Sequence, residues 1–126
     1  MVRDPFLKDK EPEPSTVLSA LDDPDCRDII SCMEDPMTAS QLSEVCDIPL
    51  STMYRKLERM SNATLLHEGT EIRPGGQHAT RYEVNFEDVI FSLDDERNFQ
   101  VRINRPARTP DERLASLWSQ VREEST

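Results

Sequence analysis

Glycine, cysteine and aromatic residues are scarce in this 126-residue chain: three glycines, three cysteines and an aromatic content of 6%. The chain has no glycine-rich phosphate loop, no Gly-x-Ser-x-Gly and no His-Glu-x-x-His, so no enzyme is expected. An odd number of cysteines without C-x-x-C spacing fits neither a disulfide scaffold nor a zinc ribbon, and no metal or other cofactor is expected. No apolar run approaches the roughly 18 to 20 residues that cross a bilayer. The start, Met1-Val2-Arg3-Asp4-Pro5, lacks the basic-then-apolar order of a secretory signal, so a cytoplasmic protein without a membrane partner is expected. Positive charge is short as well, with 15 Lys and Arg against 25 Asp and Glu and a net charge of −10. The length suits one domain with tails.

An acidic total argues against nucleic acid, because phosphate is bound by Lys and Arg. The distribution reverses that inference. Residues 1–49 carry 4 basic and 12 acidic groups, and residues 82–126 carry 6 and 10. Between them, residues 50–81 hold Arg55, Lys56, Arg59, Arg73 and Arg81 against Glu58, Glu68 and Glu71, a net of +2, together with His67 and His78. One basic window thus sits on an acidic protein. The cations are 12 Arg and only 3 Lys. With the acidic excess, this resembles the composition of proteins from cells that keep molar salt in their cytoplasm, such as halophilic archaea.

Residues 1–14, with Pro5, Pro12 and Pro14 among alternating charges, read as a flexible acidic arm. Val17, Leu18 and Leu21 form a short apolar run closed by Asp22-Asp23-Pro24. Cys26, Ile29, Ile30 and Met33 then fall on one helical face, with Pro24 suited to its first turn. Asp35-Pro36 breaks the chain. Thr38-Ala39-Ser40-Gln41 is a capping box that starts a helix of about two turns through Leu42, Val45 and Cys46. Pro49 opens another helix, with Leu50, Met53, Leu57 and Met60 at apolar spacing. After Asn62 the period changes. Leu65 to Ile72 and Ala79 to Phe86 flank Arg73-Pro74-Gly75-Gly76-Gln77, a hairpin with a flexible tip. One or two further strands are expected in Val89 to Leu93 and Phe99 to Ile103. From Pro110 a helical period returns, with Leu114, Leu117, Trp118 and Val121 on one face.

Helix, helix, short helix, turn, helix and hairpin is the element order of an α+β winged helix-turn-helix domain, expected over residues 15–105, with a C-terminal helix over 106–126. The stretch from Thr38 to Leu57 (TASQLSEVCDIPLSTMYRKL) resembles the helix-turn-helix of ArsR-like and MarR-like transcription regulators. It is particularly similar to the short winged-helix regulators of halophilic archaea, whose wing is often followed by further strands and a Trp-containing final helix. Leu42 and Ser43 match the apolar-then-small pair of the first motif helix, and Ile48, Met53 and Leu57 match the apolar positions that pack the second against it. Asp47 stands where the family commonly has Gly, and Pro49 where it has a capping Ser or Thr. Asp is among the few residues that tolerate the left-handed turn. The resemblance implies a regulator that binds double-stranded DNA as a homodimer.

A helix in the major groove needs small polar and basic side chains near its N-terminus. Leu50, Ser51, Thr52, Tyr54 and Arg55 are so placed, with Lys56 and Arg59 nearer the DNA backbone. Arg55 is the candidate for a bidentate contact with guanine; a solvated helix face with ordinary pairing among Arg55, Glu58 and Arg59 is the plainer alternative. In the wing, Arg73, Gln77, His78 and Arg81 bracket a Gly-Gly tip suited to close approach to phosphate or a minor groove. Leu114, Leu117, Trp118 and Val121 read as a dimerisation face, or as packing against the same domain. A two-fold dimer reads two half-sites about one turn apart.

Other chemistry is thinner. Cys46 lies on the apolar face of its helix and reads as a buried core thiol. Cys26 and Cys32 fall on different helix faces, and His67 and His78, which could approach across the hairpin, are two ligands without a third. A thiol- or metal-responsive regulator is therefore a minor alternative. A winged helix that binds protein instead of DNA suits the acidity better, although such a module would be expected to lose Arg55, Lys56 and Arg59.

Overall fold

Prolines set where the first two helices begin. Helix α1 spans Pro14–Asp22 and α2 spans Pro24–Cys32, each with its proline in the first turn, where a missing N–H costs no intrahelical bond. Asp23 caps α2, its carboxylate accepting the Asp25 N–H at 3.0 Å. The computed structural model describes residues 11–107. The expected dimerisation residues Leu114, Leu117, Trp118 and Val121, and most of the N-terminal arm, lie outside the described residues.

The capping box forms as the sequence predicts. Thr38 Oγ1 accepts the Gln41 N–H at 3.2 Å while Gln41 Oε1 accepts the Thr38 N–H at 2.9 Å, starting helix α3 over Ala39–Cys46. The helix ends on Asp47, which adopts the left-handed conformation with φ 56° and ψ 46°. The Ser43 hydroxyl donates to the Ile48 carbonyl and closes the turn. Helix α4, Leu50–Asn62, follows from Pro49 with no side-chain cap. Its C-terminus closes by two bonds, Thr64 N–H to Ser61 O and Leu65 N–H to Met60 O. Thr64 holds φ 60° there, a conformation that a β-branched residue rarely adopts.

Among the described residues four strands follow α4, and a fifth precedes α3. Strand β1 is only Met37–Thr38; β2 is Leu66–Ile72, β3 His78–Val84, β4 Asp88–Leu93 and β5 Phe99–Asn104. The first three make one antiparallel sheet in the order β1-β3-β2, with Met37 opposite Tyr82 and Leu66 opposite Val84. β4 and β5 form a separate hairpin in the register Val89–Ile103, Phe91–Val101 and Leu93–Phe99. Of the one or two strands expected after the wing, two are present, and they do not join it. Strand β1 was not expected, because Asp35-Pro36 reads as a plain break and two residues carry no period.

Helices and antiparallel strands together fit an α+β winged-helix fold. Val17 and Ala20 of α1, Cys26, Ile29 and Met33 at α2, Leu42 of α3, and Met53, Leu57 and Met60 of α4 are buried together with Val101 and Ile103 of β5. Each expected helix face supplies core residues, with three exceptions: Leu18 of α1 is 51% exposed, Val45 of α3 59%, and Leu50, grouped by spacing with Met53 and Leu57, 41%. Leu50 stands at the first position of α4, before the helix reaches the core.

Candidate nucleic-acid interface

The face of α4 opposite Met53, Leu57 and Met60 is formed by Ser51, Arg55, Glu58 and Asn62, which recur at helical spacing and are exposed. Arg55 stands near its centre, with no ion pair found for it among the described residues. Thr52 is half-buried. Tyr54, 52% exposed, flanks the face on the wing side, where its charge interaction reaches Tyr82 of β3. Burial, then the charge of Glu68, then Tyr54 push the Tyr82 hydroxyl above its ordinary pKa. Ser61 donates to Glu68 Oε1 at 3.1 Å and joins α4 to β2. Helix and wing are thereby coupled.

Two expected backbone binders are engaged elsewhere. Lys56 Nζ lies 2.8 Å from Asp23 Oδ2 and 3.7 Å from Asp25 Oδ2, with its side chain largely covered. Arg59 Nη1 lies 2.9 Å from the same Asp23 oxygen, although half of its side chain is exposed. Burial raises the Asp23 pKa, but the Lys56 hydrogen bond, the Asp25 N–H and the Lys56 charge outweigh it and hold the carboxyl below its usual value. Lys56 therefore locks α4 to the start of α2, and Arg59 is shared between that lock and the surface. Sequence spacing places both on α4, but their partner lies 33 and 36 residues away.

The wing tip is closed by Arg73 N–H to Gln77 O at 2.7 Å and Gly76 N–H to Arg73 O at 3.1 Å. Gly75 and Gly76 both take positive φ, 94° and 83°, which glycine alone adopts without strain. Arg73 Nε is 3.4 Å from Glu71 Oε2 on the exposed tip. Gln77, His78 and Arg81 are exposed. Register separates them: His78 opposes Ile72 on the face that carries Tyr82 and Val84, whereas Arg81 opposes Gly69 on the other face. The four wing residues are therefore a tip and two sides, not one surface.

A shallow cleft between α1 and α4 is lined by Thr16, Ser19, Arg55, Glu58, Arg59 and Asn62. Thr16 and Ser19 were not singled out from sequence. The available signal was weak, namely that α1 carries no charged residue before Asp22.

The histidines do not approach each other. His67 pairs with Glu83 and His78 with Ile72, five steps apart on the ladder, or about 17 Å at strand rise. Among the described residues no group of three His, Cys, Asp or Glu is arranged to hold a metal. Of the thiols, Cys26 is fully buried, and burial followed by the charge of Asp23 pushes it up to about 11. Cys46 is half-buried instead of buried, which corrects the expectation of a core thiol; the end of α3 leaves one side open. Burial, then a hydrogen bond with Cys32 and the charges of Cys32 and Asp28, push Cys46 up to about 12.

No curated protein matches the chain. Residues 21–68, from the last turn of α1 to the first residues of β2, match the family model of a helix-turn-helix domain.

Proposed function

We propose that this protein is a sequence-specific DNA-binding transcription regulator of the ArsR-like or MarR-like kind. Helix α4, about residues 50–60, enters the major groove, and the wing, about 65–86, rests on the backbone or in the minor groove. The observation that carries this reading is the outward face of α4, where Ser51 and Arg55, the latter without an ion pair among the described residues, project away from a core that fixes the helix on its other side. Arg55 reads a guanine edge; Ser51, Thr52 and Tyr54 reach bases or phosphates; Arg59, Arg73 and Arg81 neutralise phosphates. Leu50 borders this face without a polar contact to offer, Gln77 and His78 extend the wing's reach, and Lys56 positions α4 from within. A homodimer on a two-fold site, a cytoplasmic location and a salt-rich cell accompany the reading, and neither cofactor nor catalysis enters it.

A mobility-shift assay on the protein's own upstream region, in high potassium, tests it with wild type, Arg55→Ala and Arg73→Ala. Wild type binds, Arg55→Ala loses discrimination among sites, and Arg73→Ala binds all sites less well. Equal binding by all three proteins overturns the site assignment. Failure to bind any genomic DNA favours a second reading, a winged helix that binds a protein partner. That reading draws support from Glu58 on the outward face of α4 and from the neutralisation of Lys56 by Asp23.

A further inference from the structure

The β4–β5 hairpin has one apolar face, and only half of it is covered. Its register places Val89, Phe91 and Leu93 beside Ile103, Val101 and Phe99 on that face, while Asp88, Ser92, Gln100, Arg102 and Asn104 lie with Ile90 on the other. At the core end Ile103 and Val101 are 5% and 8% exposed; at the tip Leu93 and Phe99 are 46% and 73% exposed. A strand pair that alternates so strictly and then leaves Phe99 in water has no covering element among the described residues.

We infer that residues 110–121 of this same chain cover the outer half of that face, placing Leu114, Leu117, Trp118 and Val121 against Phe91, Leu93 and Phe99. Reach and direction both suit this occupant. The chain leaves β5 at Asn104, at the covered end of the face. There the Arg105 guanidinium fixes the exit by donating to the Thr64 carbonyl at 2.5 Å, the Thr64 hydroxyl at 2.7 Å and the Asn85 carbonyl at 3.2 Å, with Glu11 at 3.3 Å. Phe99 lies five residues back along the strand, about 17 Å away. A helix over 110–121 is about 18 Å long, and its apolar stripe from 114 to 121 begins about 6 Å from its start and ends near 16 Å, which spans the uncovered half. A tether this short holds the segment at an effective concentration on the order of millimolar, far above that of a second copy at micromolar protein. The docking is independent of any DNA binding.

Trp118 is the single tryptophan of the chain and reports on the contact directly. The full-length protein is read by tryptophan emission, acrylamide quenching and sedimentation mass across a range of concentrations, as wild type, as Leu93→Ser/Phe99→Ser, and as Leu117→Ser. The expected result is blue-shifted, protected emission that is independent of concentration. Both variants should lose the blue shift and gain quenching while keeping the helical circular dichroism of the domain. Three results overturn the inference: emission typical of solvent in wild type, protection unchanged by the substitutions, or protection that appears only with a dimer mass and disappears when that dimer dissociates. The last assigns the face to a second copy.

Discussion

Asp23 serves three donors with one carboxylate: it caps α2 through the Asp25 N–H and holds Lys56 and Arg59 of α4. Asp23→Asn keeps a capping oxygen but removes the charge, so the loss falls on the α2–α4 link and should be about 1.5 to 3 kcal/mol, as for hydrogen bonds to charged groups. The Asp23 pKa is depressed in the folded state, so its contribution is complete above the ordinary carboxylate value and fades as pH falls below about 4 through the folded value. Thermal unfolding of wild type and Asp23→Asn from pH 7 to pH 2 should therefore show a gap in Tm that narrows at acid pH. A gap constant with pH would place the stabilisation elsewhere. Asp47 gives the opposite case, a residue held in a left-handed conformation at φ 56°. Asp47→Gly removes that strain and adds the backbone entropy of glycine, so a net gain of roughly 0.5 kcal/mol is expected. That corresponds to about 2 to 4 °C in Tm for a domain of this size. A lower melting point would mean that the Asp47 side chain contributes more than its strain costs.

At the scale of elements, the proposed function divides recognition between α4 and the wing, and mutation should separate them. On the proposed reading Arg55→Ala removes a base contact worth roughly 1 to 3 kcal/mol at one position, so a panel of single-base operator variants should lose its preference there. Arg81→Ala should weaken binding to every variant alike and reduce the salt slope by about 1, as loss of one phosphate contact does. If Arg55→Ala lowers all sites equally, α4 is not reading bases with that residue. The helices were legible because their signals are local: a proline in the first turn, Thr38 with Gln41, and a core stripe through Met53, Leu57 and Met60. The wing was legible from alternation around Gly75-Gly76. Strand β1 was not, because its only signal is pairing with Tyr82 and Arg81 on a distant strand. The site was half legible for the same reason. Spacing puts Lys56 and Arg59 on α4, but only the packing of α2 brings Asp23 to them, and only register places His78 and Arg81 on opposite faces.

For the whole molecule the question is how a chain of net charge −10 approaches a polyanion. Two salt effects oppose one another. Each phosphate neutralised releases condensed counterions, so log K falls with log salt at a slope of about −0.9 per contact. Repulsion between the acidic flanks and the duplex acts at longer range and is screened, with a Debye length of about 10 Å at 0.1 M and about 3 Å at 1 M. The proposed function gives Arg59, Arg73 and Arg81 three phosphate contacts, and Arg59 is shared with Asp23. Contacts alone would thus cost roughly 40-fold in affinity between 50 and 200 mM salt. Relief of repulsion works the other way, so the measured loss should be smaller, and the slope should steepen toward its contact value as salt approaches 1 M. Fluorescence anisotropy of a labelled operator at 0.05 to 1 M KCl measures this. A slope that is already steep at low salt and constant throughout would mean that the acidic flanks never come within a Debye length of the duplex. In that case the basic window alone sets the field the DNA meets.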